Sequence, residues 1–164
     1  MTNFTAWIEQ TDFSTWIRES PSLLVFPFFL ILHAWGMGFL AGANAAIDLR
    51  ILGIAPRVQL NAMTKFYPVA WVAFVVNAIS GLLLLIAYPT KALTNPVFYL
   101  KLACIAAGMV LMVLLRRRVV EGSDAPPPWG KALAFLSILL WAGAIVSGRL
   151  LAYTCRLLMA GSPC

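Results

Sequence analysis

Four apolar runs, each long enough to cross a lipid bilayer, leave this chain few folds to choose from. Residues 21–47 carry a single titratable side chain, His33, and residues 66–90 are uncharged. A third run covers residues 92–115 with Lys101 inside it, and a fourth covers 132–155 with Arg149 inside it. About twenty apolar residues suffice for a helix to traverse the hydrocarbon. Backbone polar groups find no water there, so each crossing must satisfy its own hydrogen bonds, and a helix does so within one segment. Composition agrees: 62% of residues are hydrophobic and 11% charged, against roughly 45–50% and 25% in soluble domains. The expectation is an all-α integral membrane four-helix bundle forming one domain over residues 1–164. Spans are expected at about 22–47, 66–89, 96–116 and 131–155, after a short amphipathic interfacial helix at about 3–18.

The net charge of +6 does not point to nucleic acid, because the basic residues sit at the ends of apolar runs and not along one exposed polar face. It reads as topology. Arg50, Arg57 and Lys65 lie between the first two spans, and Arg116, Arg117, Arg118 and Lys131 between the last two; the other side carries Arg18, Lys91 and Arg156. Cytoplasmic segments keep the excess of Lys and Arg. Both termini are therefore expected on the periplasmic side of a multi-pass bacterial inner-membrane protein. Residues 1–19 have no basic leader, short apolar core or small-residue cleavage site, so the first span is expected to insert uncleaved. Phe4, Trp7, Ile8, Phe13, Trp16 and Ile17 fall on one helical face, the pattern of an interfacial anchor in the outer leaflet.

The first span carries the most information. On a 3.6-residue period His33, Met37, Leu40, Asn44 and, less closely, Asp48 share one stripe, while Ala34, Gly38, Gly42 and Ala46 repeat at every fourth position on another. Small residues at that interval let a neighbouring helix approach closely. Asn77, Ser80, Gly81 and Tyr88 form a polar stripe on the second span, and Lys101, Cys104, Gly108 and Met112 one on the third. Polar groups are expensive in hydrocarbon unless partnered, so these stripes should meet inside the bundle. Helical rise puts His33 about 15 Å below one boundary, near the midplane, and Lys101 and Arg149 about 6 Å below the same boundary.

That layout suits an upright b-type haem, with His33 as axial metal ligand and Lys101 and Arg149 on the propionates. A second axial ligand must then come from Met109 at similar depth, from Met37 after local distortion, or from His33 of another copy. A quinone accepting a hydrogen bond from His33 is an alternative use of the same groups, and His33 with Met37 one turn away is a sparse donor pair for Cu(I). The plain alternative has His33 bonded to Asn77 or a backbone carbonyl while Lys101 and Arg149 reach lipid phosphates. Asp48 and Arg50 are expected to form a local ion pair at the helix end. Cys155 and Cys164, in an oxidising compartment, are compatible with a disulfide or with free thiols. No second histidine or carboxylate stands ready to orient His33 as a base, so hydrolytic catalysis has no support.

The segments LHAWGMGFLAGANAAIDLRILG (Leu32 to Gly53), NPVFYLKL (Asn95 to Leu102) and SGRLLAY (Ser147 to Tyr153) together resemble an uncharacterised family of small four-helix bacterial inner-membrane proteins. An early HxxG, a later N-P-x-F-x-x-K and a final G-R-x-x-A-Y make up the family's sparse pattern, and the likeness runs from about Phe13 to Cys155. The resemblance implies His33, Gly36, Lys101 and Arg149 as signature positions and assigns them no chemistry. A looser likeness to the membrane domains of copper-resistance proteins rests on the early histidine and the helix layout alone. The function expected first is a non-catalytic subunit or anchor of a larger membrane assembly, whose partners are the lipid bilayer and other membrane subunits or further copies of itself. Second comes a haem b or quinone electron-transfer module built on His33, and third copper handling.

Overall fold

The computed structural model describes residues 7–19, 25–121 and 126–158. Phe4, Cys164 and the side chains of Cys155 and Arg156 lie outside the described part. Its elements are helical: α1 (Asp12–Glu19), α2 (Val25–Leu52), α3 (Phe66–Ala87), the short α4 (Pro89–Leu93), α5 (Pro96–Leu115) and α6 (Pro128–Leu158). A 3-10 turn, Leu60–Lys65, leads into α3, and a π turn, Arg116–Val120, extends α5. Four helices are long and apolar enough to cross a membrane, over Val25–Leu52, Leu60–Ala87, Pro96–Val120 and Pro128–Leu151. This is the build of an all-α multi-pass membrane protein. The face carrying α1 and α4 is called here the amino-terminal face, and the opposite one the basic face.

Local chemistry sets the helix ends. Gly53 has φ +102, and its N–H donates to the Arg50 carbonyl at 3.1 Å while that of Ile54 donates to Leu49 at 3.0 Å. This paired closure satisfies otherwise orphaned carbonyls and needs a left-handed residue after the helix. Because Gly53 is the stop signal, α2 runs past the expected end near residue 47. Asn95 caps α5, its side chain accepting from the Val97 N–H at 2.9 Å, with Pro96 at the first helical position. Asn95→Ala should lower stability in detergent by about 1 kcal/mol. Reversible unfolding in mixed micelles reads that loss, and an unchanged midpoint would mean the cap is dispensable.

The spans pack as two hairpins. α2 lies along α3 and α5 lies along α6, and a seam between α2 and α6 joins the pairs. α3 and α5 stay apart along their lengths. They are tied through α4 at the amino-terminal face and through contact of the 3-10 and π turns at the basic face. The core between the hairpins is filled by Met37, Leu40, Met109, Met112, Leu115 and Trp141. Trp141 lies flat on Gly108, where a Cβ would come within 3.0 Å of the indole.

The start of the chain departs from the expected single face. Phe13 and Trp16 are half exposed, but Ile17 and Ser14 turn inward and are buried. The cause is polar: the last carbonyls of α3 have no helical partner, and Ser14 Oγ donates to Ile86 O at 2.9 Å while Arg18 donates to Ala87 O at 3.4 Å. Arg18 also pairs with Glu9 at 3.4 Å, and Thr90 donates to Glu9 at 2.7 Å. A cation at a helix C-terminus is favourable. α1 is thus a polar cap on α3 whose aromatic side faces outward.

Candidate functional site: the His33 clasp

Glycine creates the site. At Gly36 a Cβ would lie 3.0 Å from the Asn77 backbone nitrogen and 3.1 Å from its Cα, so α2 and α3 touch backbone to backbone there. That approach lets Asn77 Nδ2 donate to the His33 carbonyl at 2.8 Å. In return the His33 Nδ1 lies 3.0 Å from the Asn77 carbonyl and 3.2 Å from Ser80 Oγ. A carbonyl only accepts, so Nδ1 carries a proton. Ser80 spends its own hydroxyl proton on Val76 O at 2.7 Å. The imidazole rests on Gly81, where a Cβ would be 2.9 Å from its Cε1.

The other ring nitrogen faces the second hairpin. Lys101, one turn into α5, places Nζ 3.0 Å from His33 Nε2. Its stem passes Gly148 of α6, where a Cβ would meet Lys101 Cε at 3.6 Å. With Nδ1 protonated, Nε2 accepts a hydrogen bond from the Lys101 amine, which links α2 to α5. Both side chains are half buried, and Lys101 has no carboxylate partner among the described residues. The clasp therefore joins the two hairpins through a single N···N contact in the amino-terminal half of the bundle.

Of the residues read from the sequence as site candidates, His33, Asn77 and Lys101 come together. Arg149 does not join them: it is exposed, one residue beyond the Gly148 that faces Lys101. Met37 and Met109 are buried in the core, and both ring nitrogens of His33 already have partners other than these thioethers. Iron or copper bound at Nε2 displaces the Lys101 amine. Among the described residues no group of three or more His, Cys, Asp or Glu side chains is placed to hold a metal.

The expected pair of Asp48 with Arg50 is not formed. Asp48 is 2% exposed and turned into the bundle, whereas Arg50 donates to the carbonyls of Val58 and Pro56. Residues two apart on a helix point to different sides. The Ala34, Gly38 and Gly42 stripe also differs from a simple intramolecular packing face. All three are exposed, and a Cβ added at Gly38 or Gly42 meets nothing within 4 Å. Beside it Trp35 and Phe39 stand out, 66% and 61% exposed, over an apolar groove of about 500 Å³ shared with Val69, Val72 and Val76 of α3.

Comparison with protein-family models, with curated proteins and with solved structures finds no match to this chain.

Proposed function

We propose that the protein is a non-catalytic subunit or anchor of a membrane assembly, docking a transmembrane helix of another subunit on the open face of α2. The observation that carries this reading is the unfilled run Ala34, Gly38, Gly42, which exposes helix backbone on the outside of the folded chain. In lipid there is little hydrophobic drive between helices, and small residues at every fourth position allow the close approach on which association then depends. The Trp35 and Phe39 ridge beside that run supplies a knob next to a hole. The polar side chains of His33, Asn77, Ser80 and Lys101 engage one another inside the bundle, so the outward surface of α2 has no part in that site.

The Lys and Arg excess on the basic face supports an inner-membrane orientation with that face cytoplasmic and both termini periplasmic. Phe13 and Trp16 then lie at the periplasmic interface, where aromatic rings are favoured.

Filling the face tests the reading. Wild-type protein extracted in mild detergent should migrate on native gels with a partner, and a photo-cross-linker in place of Trp35 should give one heavier adduct. Gly38→Leu with Gly42→Leu should abolish both without lowering the monomer's unfolding free energy, which helix propensity leaves equal or raises by up to about 1–2 kcal/mol. Wild type migrating as a lone monomer in every detergent contradicts the proposal, as does unaltered co-migration of the double variant. A stoichiometric haem absorption band that His33→Ala removes would replace it with the electron-transfer reading.

A further inference from the structure

At the basic end of α5 the helix takes in one residue more than an α-turn holds. The Glu121 N–H donates to the Arg116 carbonyl, five residues back, at 2.9 Å. This wider turn lets Val119 and Val120, consecutive in sequence, both face inward, 0% and 5% exposed, and it leaves Arg117 and Arg118 outside. Such insertions are rare and frequently sit at functional sites.

Neighbours fix the turn in place. Val119 packs on the start of α6, where a Cβ added at Gly130 would come within 2.9 Å of its Cγ2, and the 3-10 turn Leu60–Lys65 touches it from the side of α3. Arg116 bonds to Glu121 at 2.8 Å and lies over the Tyr67 ring, 5.1 Å from its centre. Glu121 is the one acidic side chain that the basic face exposes among the described residues, and this pairing uses it. Arg117 and Arg118 keep no hydrogen bond or ion pair of their side chains among the described residues.

The surface beneath them is apolar. Val110, Leu114 and Arg118 follow one another at intervals of four along the outer side of α5, and all three are exposed. Two turns of bare hydrocarbon-facing helix thus end on two adjacent guanidiniums, which is complementary to an anionic headgroup with its acyl chain. A soluble anion or a nucleic acid has no use for the apolar stripe. Membrane topology asks only that basic residues lie on this face, not that a widened turn should hold two of them above such a stripe.

We propose that Arg117 and Arg118 bind the phosphate of one anionic phospholipid, whose acyl chain lies along Leu114 and Val110. Guanidinium forks match phosphate oxygens in pairs, and basic sites at the ends of spans take anionic headgroups. The lipid supplies the negative charge that this junction lacks, and so strengthens the tie between α3 and α5 at the basic face. The site is separate from the docking face of α2 and does not depend on that reading.

Native mass spectrometry of the full-length protein, released from micelles with equal phosphatidylglycerol and phosphatidylcholine, tests this. Wild type should retain one phosphatidylglycerol in preference to phosphatidylcholine. Arg117→Gln with Arg118→Gln should lower that affinity about thirtyfold. Arg57→Gln with Lys131→Gln removes the same charge from the same face away from the turn, and should lower it by no more than about threefold. A wild type without preference would overturn the proposal, and so would equal losses in the two double variants, which would reduce the site to general attraction by a basic surface. In phosphatidylcholine bicelles, added phosphatidylglycerol should raise the unfolding midpoint of wild type but not of the Arg117 and Arg118 double variant. An equal rise with soluble glycerol phosphate would contradict the lipid assignment.

Discussion

His33→Leu should destabilise the folded chain by clearly more than Lys101→Met, and the two losses should not add. The leucine variant removes the acceptor 3.0 Å from Lys101 Nζ and strands an amine in the membrane, along with the Asn77 carbonyl and Ser80 hydroxyl that the ring engages. Lys101→Met takes away the amine and its charge and leaves only the neutral Nε2 of His33 without a partner, and the double variant removes both sides. Breaking one side of a buried polar pair costs more than replacing both sides by apolar groups. In a double-mutant cycle read by reversible unfolding in bicelles, the coupling should be about 1–3 kcal/mol, with the double variant more stable than the sum predicts. Strict additivity would mean the clasp contributes nothing to joining the hairpins.

Gly36→Ala and Gly38→Ala, two positions apart on α2, should behave in opposite ways. The new methyl at residue 36 meets the Asn77 backbone at 3.0–3.1 Å. A backbone cannot rotate away, so α3 must retreat by a few tenths of an ångström, stretching the paired bonds between His33 and Asn77. Overpacking of this kind costs about 1–3 kcal/mol. At residue 38 the methyl enters open space, and the gain in helix propensity makes the monomer equal or up to about 1 kcal/mol more stable. The same bicelle assay ranks the two, and equal effects would show that Gly36 is not the point of closest approach.

That contrast bears on what can be read from the chain alone. The four crossings were legible because hydrocarbon thickness translates directly into run length. The inward stripes of α2, α3 and α5 were legible too, since a 3.6-residue period puts His33, Asn44, Asn77, Ser80, Gly108 and Met112 on faces that turn inward. Periodicity does not say which small-residue stripe meets a neighbour. Ala34, Gly38 and Gly42 have the more regular spacing, yet Gly36 makes the contact, because the rotation of α2 is set by the polar groups it must bring to Asn77.

Depth gave Lys101 and Arg149 the same level but not the same direction. Their difference arises from how α6 sits on α5, with Gly148 and not Arg149 facing the lysine stem. Asp48 was placed with Arg50 by proximity in sequence, and the helix separates them. The sequence pattern of α1 showed its aromatics, but the carbonyls of α3 that turn Ser14 and Arg18 inward belong to another element.

His33 is the only histidine in the chain, so the nitrogen spectrum of histidine-labelled protein in lipid bilayers reports the clasp without assignment work. The structure predicts a protonated Nδ1 and an Nε2 resonance characteristic of a hydrogen bond to an amine. Lys101→Met should shift Nε2 and leave Nδ1 in place. A ring carrying its proton on Nε2 alone, or a spectrum that ignores the loss of Lys101, would contradict a bundle closed through this imidazole.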